Sequence, residues 1–279
     1  MTETMSRALL QGVPEIDIEF TGNASQANGL QLPIAVINLP HRTDRWQCLV
    51  QRMSVIGLDN LIKVPAIDGR RLPKALIEPL LAGTEDIDQA PKSHLGLTRP
   101  AVGCFLSHVA VWRWMLRRGL PRVLILEDDA RPSEHNTPER IRDLIGSLDS
   151  AADHVFLGRI IMHGLAEAPA GLPLQRLYYF NGTFAYLVTA HACARLIREL
   201  LPMRAHIDHQ TSQYLIEHRR DYRAFYCEPA MFEPDWTQRS DCYVPIVDEG
   251  LANTELGNQL QASRDLLISE GAHLLPPHR

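Results

Sequence analysis

The run Val123-Leu124-Ile125-Leu126 passes directly into Glu127-Asp128-Asp129, so an apolar segment ends on three consecutive carboxylates. Two like charges about 4 Å apart repel by about 4 kcal/mol at an effective dielectric near 20, and a cation or cationic substrate is the natural relief. Side chains alternate along an extended backbone, which predicts Glu127 and Asp129 on one side and Asp128 on the other. Hard oxygen ligands at that spacing suit Mg2+ or Mn2+, whose remaining positions are commonly filled by water and phosphate oxygens. A metal-bound diphosphate is the economical reading, and a solvated acidic turn after a core strand is the plainer one. His206 and His209 flank Asp208 and suggest zinc. No cysteine or third histidine lies suitably near them in sequence, so Mn2+ ranks ahead.

Such acids need a frame to hold them. IAVINL reads as a buried strand, followed by TDRWQCLVQRMSVIG as an amphipathic helix with Trp46, Leu49, Val50 and Met53 on one face, Thr43 as cap and Gly57 as terminator. LIKVPAI is a second strand. A long helix from about Pro100 to Arg118, stopped by Gly119, repeats Val102, Phe105, Val109, Trp112 and Leu116 at helical spacing, an apolar face wide enough to lie on a sheet. RVLILE is the next strand and carries the acids at its end. Further strands are expected at DHVFLG, TFAYLVT and RAFYCE, and helices at PERIRDLIGSL, AHACARLIREL, DHQTSQYLIEH and, near the end, LQASRDLLISEG. Apolar strands alternating with helices predict an α/β fold with a mostly parallel sheet covered on both faces. In such sheets ligands bind beyond the carboxyl ends of the strands, which is where the three acids fall.

With 279 residues, 45% of them hydrophobic, the chain can bury a substantial core. Its formal net charge of −5 gives nucleic acid no general attraction. The five cysteines, Cys48, Cys104, Cys193, Cys227 and Cys242, form no CxxC pair and read as ordinary residues in a reducing cytosol. No signal-peptide pattern opens the chain and no stretch approaches an uninterrupted transmembrane span, so a cytoplasmic protein is expected, touching a membrane at most peripherally. Residues 1–32 read as a flexible extension, 33–240 as the folded domain and 241–279 as a tail packing on it.

Five segments, taken in order, resemble the family 25 glycosyltransferases, the group of bacterial lipooligosaccharide sugar transferases and collagen galactosyltransferases. They are Ile37-Asn38-Leu39 followed by Arg42, Asp44 and Arg45; Pro65-Ala66-Ile67-Asp68-Gly69; Gly103-Cys104-Phe105-Leu106-Ser107-His108; Leu124 to Asp129; and Gly182-Thr183-Phe184-Ala185-Tyr186. The resemblance implies a GT-A type, Rossmann-like domain with a mostly parallel mixed sheet, a UDP-sugar donor, and the acidic triplet as the metal and diphosphate site. It also implies an inverting single displacement of a hexose such as galactose or glucose onto a saccharide, glycolipid or peptide acceptor, in cell-surface glycan synthesis such as that of lipopolysaccharide.

Residue by residue, the resemblance makes Glu127 and Asp129 the metal ligands and places Asp128 in the catalytic centre, facing the ribose or a nearby donor group. Asn38, Arg42, Arg45, Asp68, Gly69, Ser107 and His108 fall in its donor-binding segments. Arg42 and Arg45 would pair with phosphate or stand on a solvated first helical turn. Gly69 would permit a tight turn in which Asp68 meets the base or ribose, or the pair would be a simple β-turn. His108 would touch the diphosphate or serve as a structural hydrogen-bonder. Asp208 matches a later family aspartate as catalytic base or further metal ligand, against the alternative of a helix cap. Where the family has Gly and Glu after a threonine, this chain has Pro100 and Ala101 after Thr98-Arg99, so the reciprocal glutamate of a capping box is missing. Two competing functions share these features: a Mg2+-dependent nucleotidyl or phosphoryl transferase, and a non-catalytic nucleotide-sugar-binding protein. Against the first, the chain has no GxxxxGK[ST] loop.

Overall fold

β1 (Ile34–Asn38) is buried at every position, and its alternation divides the molecule into two cores. Ala35 and Ile37 join one cluster while Ile34 and Val36 join the other. β3 (Arg122–Glu127) alternates the same way, with Val123 and Ile125 on the first face and Leu124 and Leu126 on the second. Two apolar faces per strand require a covering layer on each side, which is why these strands read as unbroken hydrophobic runs. The computed structural model describes residues 32–83, 87–88, 96–148, 152–158, 161–165, 173–238, 240–242 and 273–274. The extension up to residue 31, the polar segment around 84–95, the tail from 243 except 273–274, and the helix expected at LQASRDLLISEG lie outside the described residues.

The main sheet has nine strands in the order β11-β6-β7-β9-β5-β8-β3-β1-β2. Besides β1 and β3 it contains β2 (Leu61–Pro65), β5 (His154–Phe156), β6 (Ile161–Leu165), β7 (Leu174–Asn181), β8 (Ala185–Thr189), β9 (Ala224–Cys227) and β11 (His273–Leu274). β4 (Ala130–Pro132) and β10 (Phe232–Pro234) form a separate antiparallel pair. Parallel pairing is confined to β1 with β2 and β3, and to β5 with β9. The remaining main-sheet pairings are antiparallel, so the sheet is mixed rather than mostly parallel. The parallel unit β2-β1-β3 brings Asn38, Pro65 and Glu127 to one edge. The α/β class expected from the sequence is what the structure shows, with a mixed sheet covered by helices on both faces.

Helices α3 (Arg99–Arg117), α5 (Ala190–Glu199) and α6 (Ile207–Glu217) cover the first face. α1 (Thr43–Val55) and α4 (Pro138–Ser147) cover the second. α2 (Lys74–Ile77) is a single turn. The boundaries follow local chemistry. Thr98 accepts the Ala101 N–H as the cap of α3, Pro100 sits in its first turn, and Gly119 ends it at φ +63°. Thr43 is the first helical residue of α1, not its cap, a position taken by the backbone of Arg42. Val50 and Leu116 are 37% and 36% exposed, so neither completes its expected apolar face. On α1 the buried positions are instead Arg45, Leu49 and Met53, one every four residues.

Gly69 opens a 3-10 turn (Gly69–Arg71) against α3, and a Cβ there would collide with the backbone of Arg99 and Gly103. Gly103 is closed in the same way by Gly69 and Ile67. The reason for glycine is therefore backbone against backbone, with no positive φ required at Gly69. Ser107 fastens the same junction, donating to Gly103 O at 2.7 Å and accepting the Ile67 N–H at 2.8 Å. Among the described residues no helix is long and apolar enough to cross a membrane. Gly103→Ala is expected to lower stability by about 1–3 kcal/mol, read as a lower urea midpoint with an unchanged denaturant slope.

Candidate active site

β3 ends at Glu127, and the chain turns through Asp128 and Asp129 before β4, so the three acids leave the strand in different directions. Asp128 goes toward β1 and α1. It accepts from Arg45 Nη1 at 2.9 Å and from Asn38 Nδ2 at 2.8 Å, all three residues being buried. Burial lifts its pKa above the usual value, against the opposing pull of Arg45 and Asn38. Asn38 Nδ2 also donates to Arg42 O at 3.0 Å, fixing the first turn of α1 to the strand. The returning segment 240–242 brings in a further carboxylate: Asp241 Oδ2 lies 2.5 Å from Arg42 Nη1 and 3.4 Å from Arg45 Nη1. Arg70 Nη2 donates to the Asp241 carbonyl at 2.8 Å. Three guanidiniums thus converge on one residue of this segment, and Arg42 is further paired with Asp44 at 2.9 Å.

Glu127 points the other way, toward α3 and β8. Its Oε1 accepts from Thr183 Oγ1 at 2.6 Å and lies 3.2 Å from His108 Nε2. His108 Nδ1 is 2.8 Å from the Tyr186 hydroxyl, whose oxygen in turn accepts Trp112 Nε1–H at 3.0 Å. Because an indole only donates, the Tyr186 oxygen accepts the Trp112 hydrogen while it also meets His108 Nδ1, so the imidazole is held with Nε2 on the side of Glu127. The chain Trp112, Tyr186, His108, Glu127 is buried up to its last member, which is half-buried. Burial pushes the Glu127 carboxyl up, but the hydrogen bond and charge of His108, with the Thr183 hydroxyl, hold it below its ordinary value. His108 therefore lies beneath the site as a hydrogen-bonder of Glu127. Ser107, with both hydroxyl bonds spent on backbone, clamps the wall.

Asp129 is the acid left over. Its carbonyl accepts the Asp235 N–H at 2.8 Å, while its buried Oδ1 has no hydrogen-bond partner. Burial and the neighbouring Glu127 and Asp128 push its pKa up to about 7. An orphaned hard oxygen beside a charged carboxylate fits Mn2+ or Mg2+. Cys104, His108 and Glu127 also offer ligand atoms within 4.8 Å of one another, a second set beside Asp129 that could hold a cation. The histidines around Asp208 are otherwise engaged: His206 Nε2 meets Gly96 O at 3.2 Å and His209 Nδ1 meets the Tyr179 hydroxyl at 3.4 Å.

Two cavities meet at Glu127 and Asp129. The smaller, about 70 Å³, is lined by Arg45, Asp68, Gly69 and Arg70 besides the three acids. Asp68 caps the 3-10 turn there, accepting the Arg70 N–H at 3.1 Å. The larger, about 260 Å³, is lined by Gly182, Asp208, Trp236 and Gln238 besides Glu127 and Asp129. Asp208 is not the cap of α6. It stands in the first turn and reaches across to the Gly182 N–H at 2.9 Å, Gly182 being at φ +85°. The structure thus gathers every residue singled out from sequence around one strand end, Asn38, Ser107 and His108 as supports. It adds Thr183, Tyr186, Asp235, Trp236 and Asp241, of which Thr183 and Tyr186 lay within a segment carrying the resemblance.

Residues 31–152 match the model of glycosyltransferase family 25 (LPS biosynthesis protein). The chain is 30% identical over 274 residues to the human inactive glycosyltransferase 25 family member 3, covering 88% of this chain and 45% of that protein. It is 29% identical over 223 residues to human procollagen galactosyltransferase 2, covering 72% and 34%. The chain therefore spans less than half the length of these relatives. A solved glycosyltransferase involved in glycosylation of the major capsid of PBCV-1 aligns with a TM-score of 0.41 at 13% identity, over 84% of this chain and 98% of that one.

The raised pKa of Asp129 has a definite sign. Between its ordinary value near 3.8 and about 7 the folded protein keeps a proton that the unfolded chain has lost, so stability falls as pH rises through that window. In EDTA, Asp129→Asn is expected to melt a few degrees above the wild type at pH 8 and level with it below pH 4 (~3.8 being the unfolded value), checked by thermal scans across pH.

Proposed function

On the premise that residues 31–152 carry a glycosyltransferase family 25 segment, we propose that this chain is a metal-dependent, inverting hexosyltransferase. It moves a sugar such as galactose or glucose from a UDP-sugar to a saccharide, glycolipid or peptide acceptor in cell-surface glycan synthesis. The observation that carries this reading is the meeting of the two cavities at Glu127 and Asp129, one faced by guanidiniums and the other by the Asp208 carboxylate. That arrangement separates a place for a phosphate-bearing donor from a place for a hydroxyl-bearing acceptor.

Glu127 and Asp129 would hold Mn2+ or Mg2+, which when bound supplies positive charge to the departing diphosphate. Arg45 and Arg70 bring fixed positive charge to the same side. His108 and Thr183 keep Glu127 charged and oriented, and Arg45 and Asn38 keep Asp128 from adding a free negative charge to the phosphate side. On the other side Asp208, aimed by the Gly182 N–H, takes the proton of the attacking hydroxyl. A carboxylate already accepting two hydrogen bonds retains lone pairs for that proton. One displacement inverts the anomeric centre, so an α-linked UDP-sugar gives a β-linked product.

The names of some relatives as inactive favour one competing reading, a nucleotide-sugar-binding protein without turnover. UDP release from a panel of UDP-sugars, with and without Mn2+, separates the two. The proposal expects Mn2+-dependent release with one sugar, abolished in Asp129→Ala. UDP binding by calorimetry without release from any sugar, acceptor extracts included, would establish the binding protein instead. Asp208→Asn is expected to slow transfer by about 10²- to 10⁴-fold with donor binding retained. Loss of Mn2+ and donor binding in that variant would move Asp208 from base to metal ligand.

A further inference from the structure

Trp236 exposes 72% of its surface, and among the described residues no other Trp, Tyr or Phe is in the exposed class. An indole left in water forgoes a large hydrophobic gain, so its position calls for a reason. The loop beneath it is tightly held. Asp235, 3% exposed, donates its N–H to Asp129 O at 2.8 Å and places its carboxylate within 2.6 Å of both Arg52 Nη2 and Thr237 Oγ1. Trp236 N–H itself donates to Pro234 O at 3.1 Å. A fixed backbone with its ring turned outward is a preorganised contact surface, since little freedom is lost when something settles on it.

Trp236 lines the larger cavity together with Asp208 and Gln238. The two cavities differ in charge: among the described residues Arg45 and Arg70 line the smaller, whereas Glu127, Asp129, Asp208 and Asp235, with His206, line the larger. A phosphate belongs in the first and is repelled by the second. A flat apolar face, an amide and carboxylate acceptors suit a neutral polyol whose C–H face is apolar and whose rim is hydroxylated.

We propose that the larger cavity is a saccharide site that takes a neutral pyranose ring stacked on Trp236, with one hydroxyl directed to Asp208. Its description as the acceptor site rests on the transferase reading; the saccharide binding does not. It narrows the acceptor from saccharide, glycolipid or peptide to a molecule that presents an uncharged sugar ring.

Intrinsic fluorescence isolates the site, because Trp112 and Trp114 are buried, Trp46 is half-buried, and the difference between wild type and Trp236→Phe reports the exposed ring. Acrylamide quenching of the full chain would be measured against methyl β-glucoside, methyl β-galactoside, lactose and a sugar-free serine-containing peptide, each with and without UDP and Mn2+. The expected result is saturable protection of the Trp236 signal by at least one saccharide, weakened about tenfold or more in Asp208→Ala, with no saturable change in Trp236→Phe. Lack of protection by every saccharide, whether or not UDP binds, overturns the proposal, as does protection by the peptide alone. Saccharide protection in a protein that binds neither UDP nor Mn2+ would uphold the sugar site while removing the transferase reading.

Discussion

Three consecutive carboxylates can end one buried strand only if each is given a different answer to the same repulsion. Asp128 is answered by a buried guanidinium and an amide, Glu127 by an imidazole and a hydroxyl, while Asp129 keeps one buried carboxylate oxygen without a hydrogen-bond partner among the described residues. The rest of the structure follows from this division. α1 must present an arginine where its hydrophobic stripe would otherwise continue, and α3 must carry a histidine at the one place where its inner face meets the strand end. Two neutralised acids concentrate the remaining deficit on a single oxygen, and a site with one sharply localised need selects a compact hard cation over a diffuse one.

The supports are as constrained as the acids. Tyr186 on β8 and Trp112 on α3 fix the ring of His108, and the sheet register that pairs Ile125 with Tyr186 sets their distance from Glu127 two residues further along β3. Gly69 and Gly103 let the turn after β2 press onto α3, bringing Asp68 within reach of the same strand end. A mixed sheet serves this arrangement well. The parallel unit gathers the carboxyl ends of β1, β2 and β3, while antiparallel β8 enters beside them and delivers Gly182 and Thr183 from the opposite direction.

Much of this was legible in the sequence because it depends on local pattern. The strand-to-acid junction, Thr98 and Gly119 bounding α3, and the alternation of strands with helices through α3 all follow from spacing and residue type. What escaped depends on partners distant in sequence. Arg45 replaces Val50 on the buried face of α1 because it pairs with an acid beyond two strands and two helices, and hydrophobic periodicity assigns no value to a buried charge. β7 and β6 were missed because a strand such as LQRLYYFN mixes polar and apolar residues without a clean alternation, and its place is set by pairing with β9 and β6. The partner of Asp208 was not legible for the same reason: Gly182, whose N–H it accepts, lies outside that helix, 26 residues earlier.

Asp241 gives the site a property that no single contact shows. Its carboxylate bridges Arg42 and Arg45, and its carbonyl takes Arg70, so the protein carries its own anion on the guanidiniums at a high effective concentration. An incoming anion that uses those groups must displace a tethered rival, and its apparent affinity is the intrinsic one divided by the strength of that internal competition. The relation runs in both directions. Whatever anchors residues 240–242 weakens anion binding by the same factor by which a bound anion releases them, making this segment a thermodynamic gauge of occupancy.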